Sequence, residues 1–505
     1  MEYKTKELKT VNFKHRKKEG ENPPVLVCDS ICGSGKTQAA IEYINNSPPW
    51  NKFLYVTPYL TEIERIKKSC PNANFCSPDF KLGKGSKMTD IQRLFDEGRN
   101  IACTHVLFQM FTPENFKIAE AYGYILIMDE VADVVDKYNC NKNDLYNLLN
   151  PAFEYVQIDK NNQIVANKES PLFKDGVSAE TANKYKIQPK KPSKEISKES
   201  DRENQWLDML YRTYCGCLYL SGTTAEKLKE FYDNGGRPDE INVNIIMWTF
   251  PVSIFKAFEK VFILTYMFDG QYQANYYKYF DVKYYFLRTE KLSERDLETG
   301  APRYQFKDEI FVTPDLSFPS ELKELIQIEQ DEKLNQIGSF YRSNESKKYL
   351  ESALCSTWYD TFVLNSNSDA VKKLSNNTYN FFHNKCKCSS SSDIIWTTFK
   401  VYKNMIKQKP FSKESCFVAC TARATNEYRD RHKCAYLINI YMDPFIRNFF
   451  TNRGINPDQD LFALSELIQW LFRSAIRQGE PIKLYIPSQR MRELLEDWLD
   501  GNYKY

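Results

Sequence analysis

No apolar run in the 505 residues approaches the ~20 that span a bilayer, so no membrane-embedded segment is expected. The opening MEYKTKELKTVNFKHRKKEG carries Lys and Arg but lacks the apolar stretch of a secretory signal. Residues 1–22 are therefore expected to be a basic, solvated tail. Charge of one sign is also lacking: the net charge is only +3. A nucleic-acid partner is not demanded by overall charge, and any basic surface must be local. The fourteen cysteines lack a disulfide pattern. Several (Cys28, Cys103, Cys420) sit in apolar runs, where the reduced thiol behaves as a small hydrophobe, and a reducing cytoplasm is the expected compartment. Cys215-x-Cys217 and His383…Cys386-x-Cys388 come nearest to a metal cluster, but CxC is not the usual zinc spacing. No internal repeat is present. Tyr and Phe are abundant, 33 of each. They could stack on bases, although a coding bias accounts for the same excess.

What is present is an alternation of apolar strands and amphipathic helices. VLVCDS (25–30), KFLYVTP (52–58), NIACTHVLFQMF (100–111) and GYILIMDEVADVV (123–135) each open on a nearly all-apolar strand. That pattern argues for an α/β fold with a parallel sheet covered on both faces. The length predicts two to four domains. The first lobe is expected over 23–241, with a flexible insertion at about 142–204, where KYKIQPKKPSKEISKESDREN lacks apolar periodicity. A second α/β lobe is expected to begin at 242–288 and to resume at 391–505. Residues 289–390, polar and irregular, read as an accessory insertion.

One turn carries specific chemistry. Ser30-Ile-Cys-Gly33-Ser34-Gly35-Lys36-Thr37 lies between a strand and a helix, the context of a phosphate-binding loop. Its backbone N–H groups and the helix N-terminus favour a polyphosphate. Gly33 and Gly35 allow close approach. Lys36 would reach the β- and γ-phosphates, and the Thr37 hydroxyl would bind Mg²⁺. Asp129 and Glu130 end the apolar strand YILIMDE. They are expected to hold Mg²⁺ (Asp129) and to polarise the attacking water (Glu130). An acidic cap on the next helix is the plainer alternative.

The order of these pieces resembles superfamily 2 helicases of DEAD/DEAH-like type. The loop resembles their motif I, with Ser30 where a small Ala or Gly is usual. YVTPYLTEIERI, with Thr57 and Pro58, resembles motif Ia. IACTHVLF, with Thr104 and His105, resembles the next nucleic-acid-contacting motif. MDEVA resembles motif II, with Ala132 in place of the box Asp or His. LSGTT (Ser221, Gly222, Thr223) resembles motif III, and VFILTYMF resembles motif IV. ACTARATNEYRD, with Thr421, Arg423 and Thr425, resembles motif V. QWLFRSAIR, with Gln469, Arg473 and Arg477, resembles motif VI. There the arginines are four apart rather than three, and Phe472 replaces the usual Gly. Positions i and i+4 share one helix face, so both guanidinium groups are expected to reach one site, with Arg477 as the preferred finger.

That resemblance implies two RecA-like lobes with ATP and Mg²⁺ in the cleft. It implies an ATP-dependent helicase or translocase on nucleic acid, with DNA preferred to RNA. Thr57, Pro58, Thr104, His105, Thr421, Arg423 and Thr425 would contact the strand. It further implies replication or mobile-element partner proteins, in a bacterial cytoplasm and of phage type. Two alternatives stay open: a terminase-like DNA-packaging ATPase, and a weakly hydrolysing helicase-fold scaffold or origin-binding protein.

Overall fold

The computed structural model describes residues 23–83, 85–185, 199–295, 300, 302–315, 320–337, 353–364, 368–421 and 427–502. The basic tail, most of the Lys- and Ser-rich stretch at 186–198, Arg423 and Thr425 lie outside the described residues. The fold is α/β, with two RecA-like lobes built on parallel sheets and an inserted accessory region.

Val25–Asp29 (β1), Lys52–Thr57 (β2), Ile101–Thr104 (β3) and Tyr124–Asp129 (β4) form the heart of the first lobe. Every residue of β1 and β4 is buried. A strand covered on both faces gains nothing from alternating polarity, which is why these segments read as unbroken apolar runs. The helix Pro113–Tyr122, which feeds β4, shows local signals in agreement. Thr112 and Asn115 form a capping box, Pro113 opens the first turn, and Gly123 closes it at φ +65°.

The chain then leaves the sheet. Val135–Lys137 (β5), Val156–Ile158 (β6), Ile164–Ala166 (β7), Leu218–Leu220 (β8) and Ile246–Thr249 (β9) form an inserted module. In it β5, β9 and β8 make a three-stranded antiparallel sheet, and β6 and β7 a hairpin. Its core, including Leu145, Phe173, Trp206 and Leu210, is continuous with that of the first sheet. The expected flexible insertion at 142–204 is therefore ordered in its described part up to 185, because its scattered Leu and aromatic residues find partners far along the chain.

The chain returns as Lys260–Thr265 (β10), between β1 and β4, and as Tyr284–Arg295 (β11) on the other side of β1. Pro302–Phe311 (β12) closes the edge antiparallel to β11. The sheet order is β12-β11-β1-β10-β4-β2-β3. This corrects the expected boundary. Residues 242–288 do not begin a second lobe: β9 belongs to the inserted module, and β10 and the start of β11 pair with β1 and complete the first sheet. An apolar run encodes burial on two faces but not the identity of its neighbour.

Ile326–Ile328 (β13), Ile394–Thr397 (β14), Lys433–Tyr436 (β15) and Ile482–Tyr485 (β16) make the second lobe, an all-parallel sheet in the order β13-β16-β15-β14. The expected accessory insertion at 289–390 is divided between the lobes. β11 and β12 edge the first sheet and β13 the second. The helices Ser356–Leu364 and Ser368–Asn380 pack on the second sheet, with Trp358, Tyr359 and Leu374 against Trp396, Leu437 and Tyr485. The inserted module is instead the segment between β4 and β10. No helix among the described residues is long and apolar enough to cross a membrane.

Candidate active site at the lobe interface

The phosphate-loop sequence forms the turn from β1 to the helix Lys36–Asn45. Gly33 and Gly35 take φ +88° and +83°. A β-carbon on Gly35 would lie 2.2 Å from the Tyr304 ring, so glycine is needed there for space as well as for backbone. The β11–β12 edge thus packs on the loop, and Thr289 Oγ1 donates to Ser34 O at 2.9 Å. Lys36 Nζ donates to Ser30 O and Ile31 O at 2.5 and 3.0 Å, folding the ammonium back over its own loop.

Asp129 and Glu130 stand at the carboxyl end of β4, where ligands of open α/β sheets collect. Their strand is not adjacent to β1; β10 lies between. Even so, Thr37 Oγ1 reaches Asp129 Oδ1 at 3.4 Å. Burial, then the neighbouring Glu130, push the Asp129 carboxyl up to about 7. Glu130 holds φ +70°, with its N–H on Leu264 O at 2.9 Å. A side-chain-bearing residue in that region is uncommon and collects at functional sites. Thr265, the last residue of β10, donates from Oγ1 to Glu130 Oε2 at 3.5 Å.

This placement reassigns two motifs. VFILTYMF, read as motif IV of a second lobe, is the strand beside the phosphate loop, and its Thr265 is the hydroxyl next to Glu130. Ser221, Gly222 and Thr223, read as motif III, end β8 in the inserted module and do not line this site.

The second lobe supplies the opposite wall. A cavity of about 240 Å³ is lined by Gly33, Gly35, Lys36, Thr37, Asp129 and Glu130 from one side and by Gln469, Phe472, Arg473 and Arg477 from the other. The arginines do not share a helix face as expected. The helix Gln459–Leu471 ends before them, because Arg473 and Ser474 N–H bond back three residues to Trp470 O and Leu471 O, tightening the chain out of α geometry. Arg473 lies in that turn, and Arg477 in the short helix Ala475–Gln478. Arg477 is exposed. Arg473 is only 4% exposed, and its Nε and Nη1 find no acceptor among the described residues. Burial pulls its pKa down, against Glu466, Tyr59 and Glu130, which hold the charge. Gln469 Nε2 donates to Ser465 Oγ at 3.0 Å, and Gln271 Nε2, from the first lobe, donates to the same oxygen at 2.5 Å.

The expected strand contacts are only partly placed. Thr57 is fully buried and so offers no surface to a strand, and its hydroxyl finds no partner among the described residues. His105 is buried, with Nε2 3.1 Å from Asp129 O, which ties β3 to the Asp-Glu turn. Both corrections share one cause: the strand-end polar residues face neighbouring loops rather than solvent. Thr104 caps the turn after β3 by accepting from Leu107 N–H, Pro58 is half-buried, and Thr421 is exposed. Beside them Leu60 (63% exposed) and Val106 (71%) stand clear at the carboxyl ends of the paired strands β2 and β3.

Sequence reasoning missed Thr265, Glu62, Arg65 and Asp29. Glu62 and Arg65, paired at 3.0 Å, line the cavity from the helix Leu60–Ser69. Asp29, at the end of β1, is buried and accepts from Met267 N and Phe268 N at 2.7 and 2.8 Å. Burial pushes its carboxyl up to about 7 against the pull of those donors. An acid closing an apolar strand was the available signal. Asp29→Ala is expected to lower stability by on the order of 3 kcal/mol, since two buried N–H groups lose their acceptor. The urea midpoint checks this, and an unchanged midpoint would show that the turn stands without the clamp.

Among the described residues, no group of three or more His, Cys, Asp or Glu could hold a metal ion alone. A Mg²⁺ site here would therefore use Thr37 and Asp129 together with phosphate oxygens.

Residues 320–499 match the model of the YonV C-terminal Rossmann-like domain, the span of the second lobe. The chain is 32% identical over 483 residues to the SPbeta prophage-derived uncharacterized protein YonV of Bacillus subtilis (strain 168), covering 94% of this chain and 99% of that protein. Among solved structures, that of S. tokodaii Xpd4 matches with a TM-score of 0.33 and 10% identity over 94% of each chain. The identity to the prophage protein, sustained over almost its whole length, places this chain in the YonV family.

Proposed function

We propose that the chain is a nucleic-acid-dependent ATPase, a helicase or translocase of superfamily 2 type that works on DNA in preference to RNA. The observation that carries this reading is Arg473, a buried guanidinium from the second lobe with two donors unfilled among the described residues, which lines the same cavity as the phosphate loop. Desolvating an arginine without a partner is costly, and the γ-phosphate of ATP would offset that cost. Bound Mg²⁺ would supply charge neutralisation at the phosphate oxygens, held by Thr37 Oγ1 and Asp129. Lys36 would exchange the carbonyls of Ser30 and Ile31 for phosphate. Glu130, steadied by Thr265, would orient the attacking water and accept its proton at the carboxylate. Arg473, with Arg477 at the rim, would meet the charge that develops on the transferred group. Because these groups come from two lobes, hydrolysis would depend on their closure, and Gln271–Ser465–Gln469 would transmit it. The strand would cross the carboxyl ends of β2 and β3, where Leu60 and Val106 can meet bases, and would touch Pro58, Thr104 and Thr421. The prophage-derived relative favours a phage origin.

ATP hydrolysis at low salt, alone and with single-stranded DNA, duplex DNA or RNA, tests the reading. We expect stimulation by one of them and a loss of about 10²–10³-fold in both Lys36→Ala and Glu130→Gln. Nucleotide binding without hydrolysis in any mixture would instead favour a scaffold.

A further inference from the structure

The Ser221–Thr224 turn, displaced from the nucleotide site, walls a second cavity of about 380 Å³. The other walls are the β6–β7 turn, Tyr279, and the residues that follow the helix Pro444–Thr451. Lys160, Lys227 and Arg453 enter it from three segments far apart in sequence, and no carboxylate lines it. Among the described residues none of the three pairs with an acid.

Arg453 is held firmly without a counter-charge. Its Nη1 donates to Phe449 O at 3.0 Å and its Nη2 to Asn161 O at 2.8 Å, and the guanidinium lies 3.8 Å from the Phe449 ring centroid. Its Nε is shut off from solvent with no acceptor among the described residues. Lys227 is in the first turn of the helix Ala225–Asp233, where a cation opposes the helix dipole. Gly222, at φ +75°, leaves open space before the turn. Three cations around one cavity that no carboxylate lines give it a positive potential that favours an anion among them.

We propose that this cavity binds a phosphate group of a nucleic-acid strand. The chemistry recognised is the phosphate anion; its assignment to a strand, rather than to free phosphate, rests on the function proposed above. Arg453 follows a helix that lies between β15 and β16 in the chain, yet its Phe449 and Phe450 pack into the first-lobe core. The cavity thus joins the inserted module to the second-lobe segment, and a strand held there would grip both.

The test uses the full chain without nucleotide and a fluorescein-labelled 30-nucleotide single strand, read by anisotropy over a salt series. Lys160 and Lys227 are exposed, so Lys160→Gln/Lys227→Gln leaves the core intact. We expect a loss of about fivefold or more in affinity and a fall of about 0.7–1 in the slope of log K against log salt, the signature of one lost phosphate contact. Hydrolysis without nucleic acid should not change. Wild-type affinity and slope in the double variant would overturn the proposal while leaving the ATPase reading, tested through Lys36 and Glu130, untouched. If the native chain binds no strand, broadening of the ³¹P signal of inorganic phosphate that the double variant abolishes would keep the anion site and overturn its strand source. Absence of both would overturn the whole.

Discussion

Replacing Arg473 by alanine should slow ATP hydrolysis by about 10³-fold or more, the range of an arginine acting on transferred phosphoryl charge, while ATP affinity changes only a few fold. The asymmetry follows from geometry. In the proposed reading Lys36 and the loop backbone would hold the phosphates from the first lobe, whereas Arg473, which lines the cavity from the second, would act most strongly once charge has moved. Arg473→Lys should not rescue, since an ammonium cannot reproduce the planar fork of donors. Arg477→Ala should cost less, because Arg477 lies exposed at the rim. A second readout separates this role from a packing role. With no nucleotide present, the cost of the unfilled donors of Arg473 offsets what Glu466 and Glu130 gain from the charge, so removal of Arg473 should change the melting temperature little. Steady-state hydrolysis, nucleotide titration and thermal melts on the three variants check this. A larger loss in Arg477→Ala, or a sharp drop in melting temperature for Arg473→Ala, would transfer the finger to Arg477.

Lowering the pH through 7 should weaken Mg²⁺-dependent nucleotide binding by about tenfold per unit, because a proton on Asp129 competes with the cation. The carboxyl, pushed up to about 7, takes up a proton well above the ~3.9 of an exposed Asp. The same shift acts on stability. Between about pH 4 and 7 the folded state binds more protons than the unfolded one, so stability without Mg²⁺ should fall as pH rises across that window. The expected change is roughly 4 kcal/mol for a shift of that size. Asp29, also pushed up to about 7, adds a slope of the same sign. Asp129→Asn should therefore abolish the Mg²⁺ dependence of nucleotide binding and remove about half of the pH slope in the melts. Titrations with a fluorescent nucleotide at pH 6, 7 and 8 and melts without metal measure both. An unchanged slope in Asp129→Asn would mean that this carboxyl is already ionised in the folded protein.

Local grammar made part of the site readable. A strand, a turn with glycines at positive φ and a helix opening on Lys-Thr depend on neighbours within about fifteen residues, so the phosphate loop was legible from the residues alone. The Asp129–Glu130 pair was legible for a similar reason: an acid closing a fully apolar strand marks the end of that strand, here the carboxyl end of the sheet. The α/β class and the two lobes followed from the same alternation of apolar strands and helices.

Neighbour identity was not legible. β8 and β10 are both short apolar runs with a Thr at or just beyond their ends, yet only β10 enters the main sheet, next to β1 and β4. What separates them is pairing over more than 200 residues, which apolar content does not encode. The same long-range choice moved 242–311 into the first lobe, buried Thr57 and His105 beneath the strand ends, and clamped Asp29 to the turn after β10. Arg473 reaches the cleft because its helix stops at Leu471, and that stop depends on a tight three-residue bonding pattern rather than on a breaker residue. The sequence by itself determined the glycine-loop half of the candidate site, since that half is built from consecutive residues. Only tertiary structure decided which arginine is buried against it, which hydroxyl supports Glu130, and where the second, cationic cavity forms, because each joins side chains whose meeting is set by the packing of whole elements.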